Sequence, residues 1–286
     1  MAKPTFDLQL PDDRTTSAVF ASPHSGRDYP ASFLQRSVLD ADRIRSSEDA
    51  FVDLLFSDVP QFGAPLLTAR TPRAFVDLNR DHDELDPALI EGVSPRNHNP
   101  RIASGLGVIP RVVSQGRAIY LGKMSKTEAE MRLNQHWHPY HGALRRLLAQ
   151  SQQRFGQAIL VDCHSMPHEA LDSFARPGTP RPEIVLGDLF GAAACADIVE
   201  RIEAAFVAVG LVVVRNRPFA GAFIAQHYGR PSHHQHVVQI EIDRSLYMDE
   251  QTLRPHPHFE DFRQMISGVA RQIAEIGRGR VPLAAE

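Results

Sequence analysis

Short apolar runs recur along this chain, and two of them end in histidine-bearing polar clusters instead of simple turns. Residues 158–161 are unbroken apolar, fit for a strand buried on both faces, and pass directly into Asp162, Cys163, His164 and Ser165 before Pro167 stops any ladder. Residues 17–22 repeat the design and lead into Pro23, His24, Ser25 and Gly26, a tight turn in which Gly26 is expected to supply a positive φ. Further strands are predicted over 66–68, 74–78, 183–187, 211–215 and 237–242. Between them, 31–40, 50–56, 192–209 and 260–276 read as helices. The second of these is opened by Ser46, Ser47, Glu48 and Asp49, whose side chains suit the free amides and positive dipole end of a first turn. The strongest helical pattern runs from 126 to 155, where Met131, Leu133, Trp137, Leu144, Leu147 and Leu148 recur at helical spacing and Pro139 is expected to kink or divide the helix. Strands and helices alternate, so the expected architecture is α/β: a mixed, largely parallel central sheet with helices on both faces, in a single domain spanning 1–286. In such sheets ligands bind beyond the carboxyl ends of the strands, which is where both histidines fall.

Residues 81–115 interrupt the alternation. Their Pro, Gly, Asn, His and Asp content predicts a long loop or lid, since so long an irregular stretch usually has a function. The length of 286 residues suffices for a substantial core, and two cysteines, Cys163 and Cys195, make no disulfide framework. A formal charge of -3, with both signs mixed along the chain, provides no basic face for nucleic acid or an anionic membrane. No run nears the roughly 18 apolar residues of a membrane span. With no signal-like start, the cytoplasm is the expected location and a small molecule the expected partner. The 14 histidines exceed what packing needs and direct attention to metal or acid–base chemistry.

A water-activating metal site needs about three protein ligands from His and carboxylate, with one position left for water. His24 and His164 offer two nitrogens at one sheet edge, and Asp49, at the start of the helix after the first strand, is the expected third ligand, with Glu48 its rival. Either histidine alone would more simply bond a loop carbonyl. Two of them, each after an apolar strand and each beside a serine, favour a shared cation. Alternation then puts Val237, Gln239, Glu241 and Asp243 on one strand face, and an ionisable group in an apolar strand is costly unless used or paired. Glu241 is therefore the expected base for the activated water, the alternative being a salt bridge to Arg244.

Asn79 and Arg80, at the end of a predicted strand, offer the planar fork that grips a carboxylate; the plainer reading of Arg80 is a loop salt bridge with Asp81 or Asp83. Residues 216–229 add Arg217, a turn at Gly221, and the His227 and Tyr228 pair, able to donate to an anionic intermediate. Arg176 has a weaker claim. Other patterns are decoys. The stretch from Asp77 begins like a calcium loop but has His82 at its sixth place and Ala88 at its twelfth. Gly105 and Gly107 follow no strand, so they make no nucleotide cradle. His136, His138 and His141 read as helical turns around Pro139, His236 as a candidate pocket residue, and Cys163 as a buried thiol.

Taken in order, Pro23-His24-Ser25-Gly26, Val76-Asp77-Leu78-Asn79-Arg80, Asp162-Cys163-His164-Ser165, Phe219-Ala220-Gly221, His227-Tyr228-Gly229 and Gln239-Ile240-Glu241, followed by Tyr247-Met248-Asp249-Glu250, resemble the N-formylglutamate amidohydrolase family. The resemblance spans the first strand to the last. It implies a zinc-carboxypeptidase-like α/β fold, a divalent metal with Zn2+ expected, and hydrolysis of N-formyl-L-glutamate to formate and L-glutamate in histidine breakdown. It makes His24, Asp49 and His164 the metal ligands, Glu241 the base, and Asn79 and Arg80 the grip on a substrate carboxylate. The alternatives are an enzyme for another N-acyl amino acid or a peptide terminus, and a noncatalytic binder of small acids.

Overall fold

The structure is a computed structural model that describes residues 4–94, 99–174, 178 and 180–278. Its main sheet has seven strands: β1 (Phe6–Gln9), β2 (Ala18–Ser22), β3 (Leu66–Ala69), β4 (Ala158–Met166), β5 (Ile184–Gly187), β6 (Val213–Arg215) and β7 (Gln235–Asp243), in the order β1-β3-β2-β4-β7-β5-β6. The pairs β2/β3, β2/β4, β4/β7 and β5/β6 are parallel, whereas β1/β3 and β5/β7 are antiparallel. The sheet is thus mixed and mostly parallel. A ribbon of β8 (Met248–Asp249) and β9 (Arg254–Pro255) lies apart from it. The helices are α1 (Ala31–Arg36), α2 (Val52–Leu55), α3 (Pro100–Ala103), α4 (Lys126–Arg132), α5 (His138–Phe155), α6 (Ala196–Val207), α7 (Phe223–Tyr228) and α8 (Phe259–Ile276). Among the described residues, no helix is long and apolar enough to cross a membrane.

Strand periodicity splits β2 between two cores. Val19 and Ala21 pack with Leu160 under Tyr140, Leu144 and Leu148 of α5, while Ala18 and Phe20 pack with Ile159 and Val161 under α6 and α8. Because both faces are covered, β2 and β4 carry apolar side chains at successive positions.

Besides the helix expected over 31–40, which stops at Arg36, three predicted elements change. The helix expected over 126–155 is divided by a π-helical turn, Leu133–Trp137, placed just ahead of Pro139 in the first turn of α5. Proline lacks the N–H that a regular helix would use there, and the widened turn accommodates it. The helix expected over 50–56 shrinks to α2 because Phe51 sits at φ 66, in the left-handed region. Residues 74–78 form no strand. Their polar backbone groups bond elsewhere: the Asp77 N–H donates to the Val108 carbonyl (2.8 Å) and the Leu78 carbonyl accepts from His141 Nε2 (2.9 Å). Just beyond, Trp137 Nε1 donates to the Arg80 carbonyl (2.9 Å).

The described parts of 81–115 are packed. Leu89, Ile90, Val108, Ile109 and Val113 join the core beneath α5, and the Val108 N–H donates to the Glu84 carbonyl (2.9 Å). Gly107 permits that approach, since a Cβ there would lie 2.5 Å from the same carbonyl oxygen. Gly26 likewise serves close approach rather than a positive φ, because its Cβ would meet the Thr71 carbonyl oxygen at 2.1 Å.

Candidate metal centre and its cleft

The winding of the sheet reverses at β2, with β3 on one side and β4 followed by β7 on the other. A crevice opens at the carboxyl ends of strands that part in this way. His24 leaves β2 there, and His164 stands within β4, whose ladder runs to Met166 rather than ending at Val161.

The imidazole rings of His24 and His164 lie 4.8 Å apart between centroids. Asp49 Oδ2 is 2.9 Å from His164 Nδ1 and 3.4 Å from His24 Nδ1, and all three side chains are buried. Asp49 is drawn in by its own backbone N–H, which donates to the His24 carbonyl (3.0 Å). Glu48 turns away to accept from Tyr29 Oη (2.6 Å) and Arg45 Nε (2.9 Å).

The outward nitrogens fix the chemistry of the inward ones. His24 Nε2 is 2.7 Å from Asp77 Oδ1, and His164 Nε2 is 3.0 Å from Asp162 Oδ2. An ionised carboxylate only accepts, so His24 carries its proton on Nε2 and presents the Nδ1 lone pair to the centre, whereas His164 meets a carboxylate at each nitrogen, Asp162 at Nε2 and Asp49 at Nδ1, and its Nδ1 becomes a ligand once the proton there is displaced. His24 Nδ1 is buried with no hydrogen-bond partner among the described residues. Potential ligand atoms of His24, His164 and Asp49 all lie within 4.8 Å of one another. Such an arrangement needs positive charge between its members, a proton on His164 or a cation in its place.

The titration of the cluster agrees. Burial is the largest influence on Asp49 and favours its neutral form, yet hydrogen bonds and charge from His164 and His24 hold its carboxyl well below the usual range. Burial favours neutral His164, but the charge of Asp162 and bonds to Asp162 and Asp49 raise its pKa well above the ordinary value. The set attracts positive charge, which the His164 proton supplies, and a buried His-Asp-His set of this kind fits a divalent metal that would displace that proton.

Glu241 in β7 is in register with His164, so the two side chains leave the parallel pair on the same side. Gln239 Nε2 donates to Glu241 Oε1 (2.7 Å) while its own Oε1 accepts from the Ala222 N–H (3.1 Å). Burial above all, helped by the charge of Asp49 and opposed by His164 and Arg73, pushes the Glu241 carboxyl up to about 7. Arg244 does not neutralise it. Arg244 Nη2 donates to Asp49 Oδ1 (2.9 Å) and Nε to Ser165 Oγ (3.1 Å).

These groups line one cleft of about 780 Å³. Arg80 reaches it, buried, with Nε donating to the Leu106 carbonyl (3.1 Å) and no carboxylate at ion-pair distance among the described residues. Asn79 lines it too, but its side chain is a brace: Oδ1 accepts from the Ile224 N–H (2.7 Å) and Nδ2 lies 3.4 Å from Asp162 Oδ2. Gly221 lines the wall at φ +117, where a Cβ would approach Ala225 Cβ to 2.9 Å.

The structure does not bring Arg217, His227 or Tyr228 to this cleft. Arg217 is exposed, and residues 218–222 form the wall instead. The short α7 turns His227 out to stack on Phe223 (4.9 Å between centroids) and Tyr228 inward, where its hydroxyl meets His141 Nδ1 (2.8 Å). The oxyanion role expected of that pair is therefore withdrawn. His236 is also outside the cleft, its Nδ1 accepting from the Cys195 N–H (3.4 Å), and Arg176 lies outside the described residues. Sequence reasoning missed the parts played by Asp77, Asp162 and Arg244, and it missed Arg73, a cleft-lining arginine whose Nε donates to Asp77 Oδ2 (3.1 Å). The signal available for Asp162 was its place on the same strand face as His164.

Comparison with known proteins gives a consistent result. Residues 16–248 match the N-formylglutamate amidohydrolase family. The chain is 31% identical over 261 residues to an N-formylglutamate deformylase of Pseudomonas aeruginosa, covering 90% of this chain and 91% of the relative. It is 28% identical over 260 residues to one of Pseudomonas putida, covering 90% of each. The crystal structure of N-formylglutamate amidohydrolase from Ralstonia eutropha JMP134 superposes with a TM-score of 0.90 at 34% identity, covering 96% of this chain and 99% of that one.

Proposed function

The chain belongs to the N-formylglutamate amidohydrolase family, and from that premise we propose that it is a metal-dependent hydrolase cleaving N-formyl-L-glutamate to formate and L-glutamate. The observation that carries this reading is the convergence of buried ligand atoms from His24, Asp49 and His164 beside a carboxyl, Glu241, pushed up to about 7. Those three residues would hold the ion, and two imidazoles with one carboxylate favour Zn2+. A divalent ion held there supplies a Lewis acid that polarises the formyl oxygen and makes water more acidic.

Glu241 serves as base and then as acid. It accepts a proton from water as the water oxygen bonds to the formyl carbon, and it returns that proton to the amide nitrogen as the C–N bond breaks. A pKa near neutrality suits both directions. Arg73, half-buried at the cleft wall and close enough to Asp49 and Glu241 to feel both charges, replaces His227 and Tyr228 as the donor facing the developing oxyanion. Arg80 grips the carboxylate on the carbon next to the scissile nitrogen, with its fork held by the Leu106 and Asn79 carbonyls.

Protein carrying a stoichiometric divalent ion is expected to release formate from N-formyl-L-glutamate and to release acetate more slowly from N-acetyl-L-glutamate. Metal-replete protein that releases no formate would overturn the proposal.

A further inference from the structure

The cleft holds more positive charge than its own carboxylates use. Arg73, Arg80, Arg101 and Arg244 all line it. Arg73 is bridged to Asp77 (3.1 Å) and Arg244 to Asp49 (2.9 Å), whereas Arg80 and Arg101 have no carboxylate at ion-pair distance among the described residues. Arg80 lies deep, 7% exposed; Arg101 stands at the exposed rim on α3.

Position links the two. Arg80 Nε donates to the Leu106 carbonyl (3.1 Å), and the Leu106 N–H donates to the Arg101 carbonyl (2.8 Å), so the turn carrying Arg101 is docked on Arg80. Their charges interact as well. Burial lowers the pKa of Arg80, and the charges of Arg73 and Arg101 add to that against the pull of Asp77 and Glu84. Glu84 is a carboxylate whose charge reaches both Arg80 and Arg101, yet it pairs with neither, and its Oε2 is buried without a hydrogen-bond partner among the described residues.

We infer that Arg101 determines specificity by taking the side-chain carboxylate of an acidic N-acyl amino acid while Arg80 takes the α-carboxylate, an inference that rests on the function proposed above. The α-carboxylate sits on the carbon bonded to the scissile nitrogen and so belongs beside the deep arginine. The side-chain carboxylate, set off by methylenes, reaches toward the rim. Two unpaired guanidinium groups match a dicarboxylate in number and sign.

The test compares metal-loaded parent, Arg101→Gln and Arg101→Lys on N-formyl-L-glutamate and its near-isostere N-formyl-L-glutamine, in kinetics and in calorimetric binding of L-glutamate and L-glutamine. Arg101→Gln is expected to raise KM for N-formyl-L-glutamate about tenfold or more, the scale of one lost charge-assisted contact, with kcat near the parent value. N-formyl-L-glutamine should be affected less than about twofold, and Arg101→Lys should restore part of the preference. Equal losses on both substrates, or none, would remove Arg101 from recognition. A parent inactive on both substrates refutes the proposed reaction instead. In that event the binding arm decides: preference for L-glutamate that vanishes in Arg101→Gln upholds the subsite, and preference that survives or never existed refutes it.

Discussion

Asp77 and Asp162 each hold the outward nitrogen of one histidine, at 2.7 and 3.0 Å, and so decide which nitrogen faces the metal centre. Asp77→Asn gives His24 Nε2 a partner that can donate as well as accept, which releases the ring to its other tautomer. Metal affinity or turnover is expected to fall about 10–100-fold, the range for removing an outer carboxylate, and competition with a chromogenic chelator measures the affinity. Glu241→Gln acts differently, since its side chain is not among the converging ligand atoms. Metal content should stay at the parent level while kcat falls about 10²–10⁴-fold; parental turnover would eliminate Glu241 as the base. The two histidines were legible because each follows an apolar strand. Asp77 stands 53 residues from His24, and nothing local marks such a carboxylate as its partner. His227 and Tyr228 were misread because adjacency in sequence does not say which side a short helix turns to a cleft.

At the scale of elements, strands buried on both faces were the most legible, since β2 and the first half of β4 are plain apolar runs. Residues 74–78 look the same in sequence but are apolar for another reason. They lie beneath α5, and their backbone bonds go to the Pro72 carbonyl in a local turn, to the Val108 carbonyl and to the His141 ring, partners that no periodicity announces. The wall of the cleft built from 99–116 depends on the fit of Gly107 against the Glu84 carbonyl, 2.5 Å from where a Cβ would stand. Gly107→Ala should therefore push the turn carrying Arg101 and Leu106 outward. The expected result is a loss of about 1–3 kcal/mol in stability, as for overpacking, with a raised KM for N-formyl-L-glutamate and metal content unchanged. Urea melts and steady-state kinetics check it, and a variant with parental stability and KM would show that the wall adapts freely.

For the molecule as a whole, the buried polar link between α5 and the metal-side loop predicts acid lability. His141 is fully buried, its Nε2–H donating to the Leu78 carbonyl (2.9 Å) and its Nδ1 accepting from the Tyr228 hydroxyl (2.8 Å), so protonation would bury a charge and take away the acceptor of the Tyr228 hydroxyl. Burial, partly offset by the Leu78 carbonyl, pushes its pKa down to about 3. An unfolded histidine titrates at about 6.5. Between those values the unfolded chain binds a proton that the folded chain refuses. The contribution of His141 is thus fully present above about pH 6.5 and falls by about 1.4 kcal/mol per unit as pH drops toward about 3, below which this loss levels off, while Glu241, raised to about 7, opposes it down to an unfolded value of about 4.3. His136, lowered to about 4 mainly by burial but only half-buried, adds a smaller, solvent-screened contribution of the same sign. The depressed carboxylates Asp49 and Asp77 join only at more acidic pH, where their unfolded counterparts take up protons. His141→Gln can still donate to the Leu78 carbonyl but does not titrate, and it leaves the metal ligands in place. It should be less stable than the parent near neutrality, yet that gap should shrink by about 1.4 kcal/mol for each pH unit below about 6.5. Urea unfolding of both proteins across this range measures the gap, and a constant difference would mean that His141 can be protonated without loosening α5 from the loop that carries Asp77, Asn79 and Arg80.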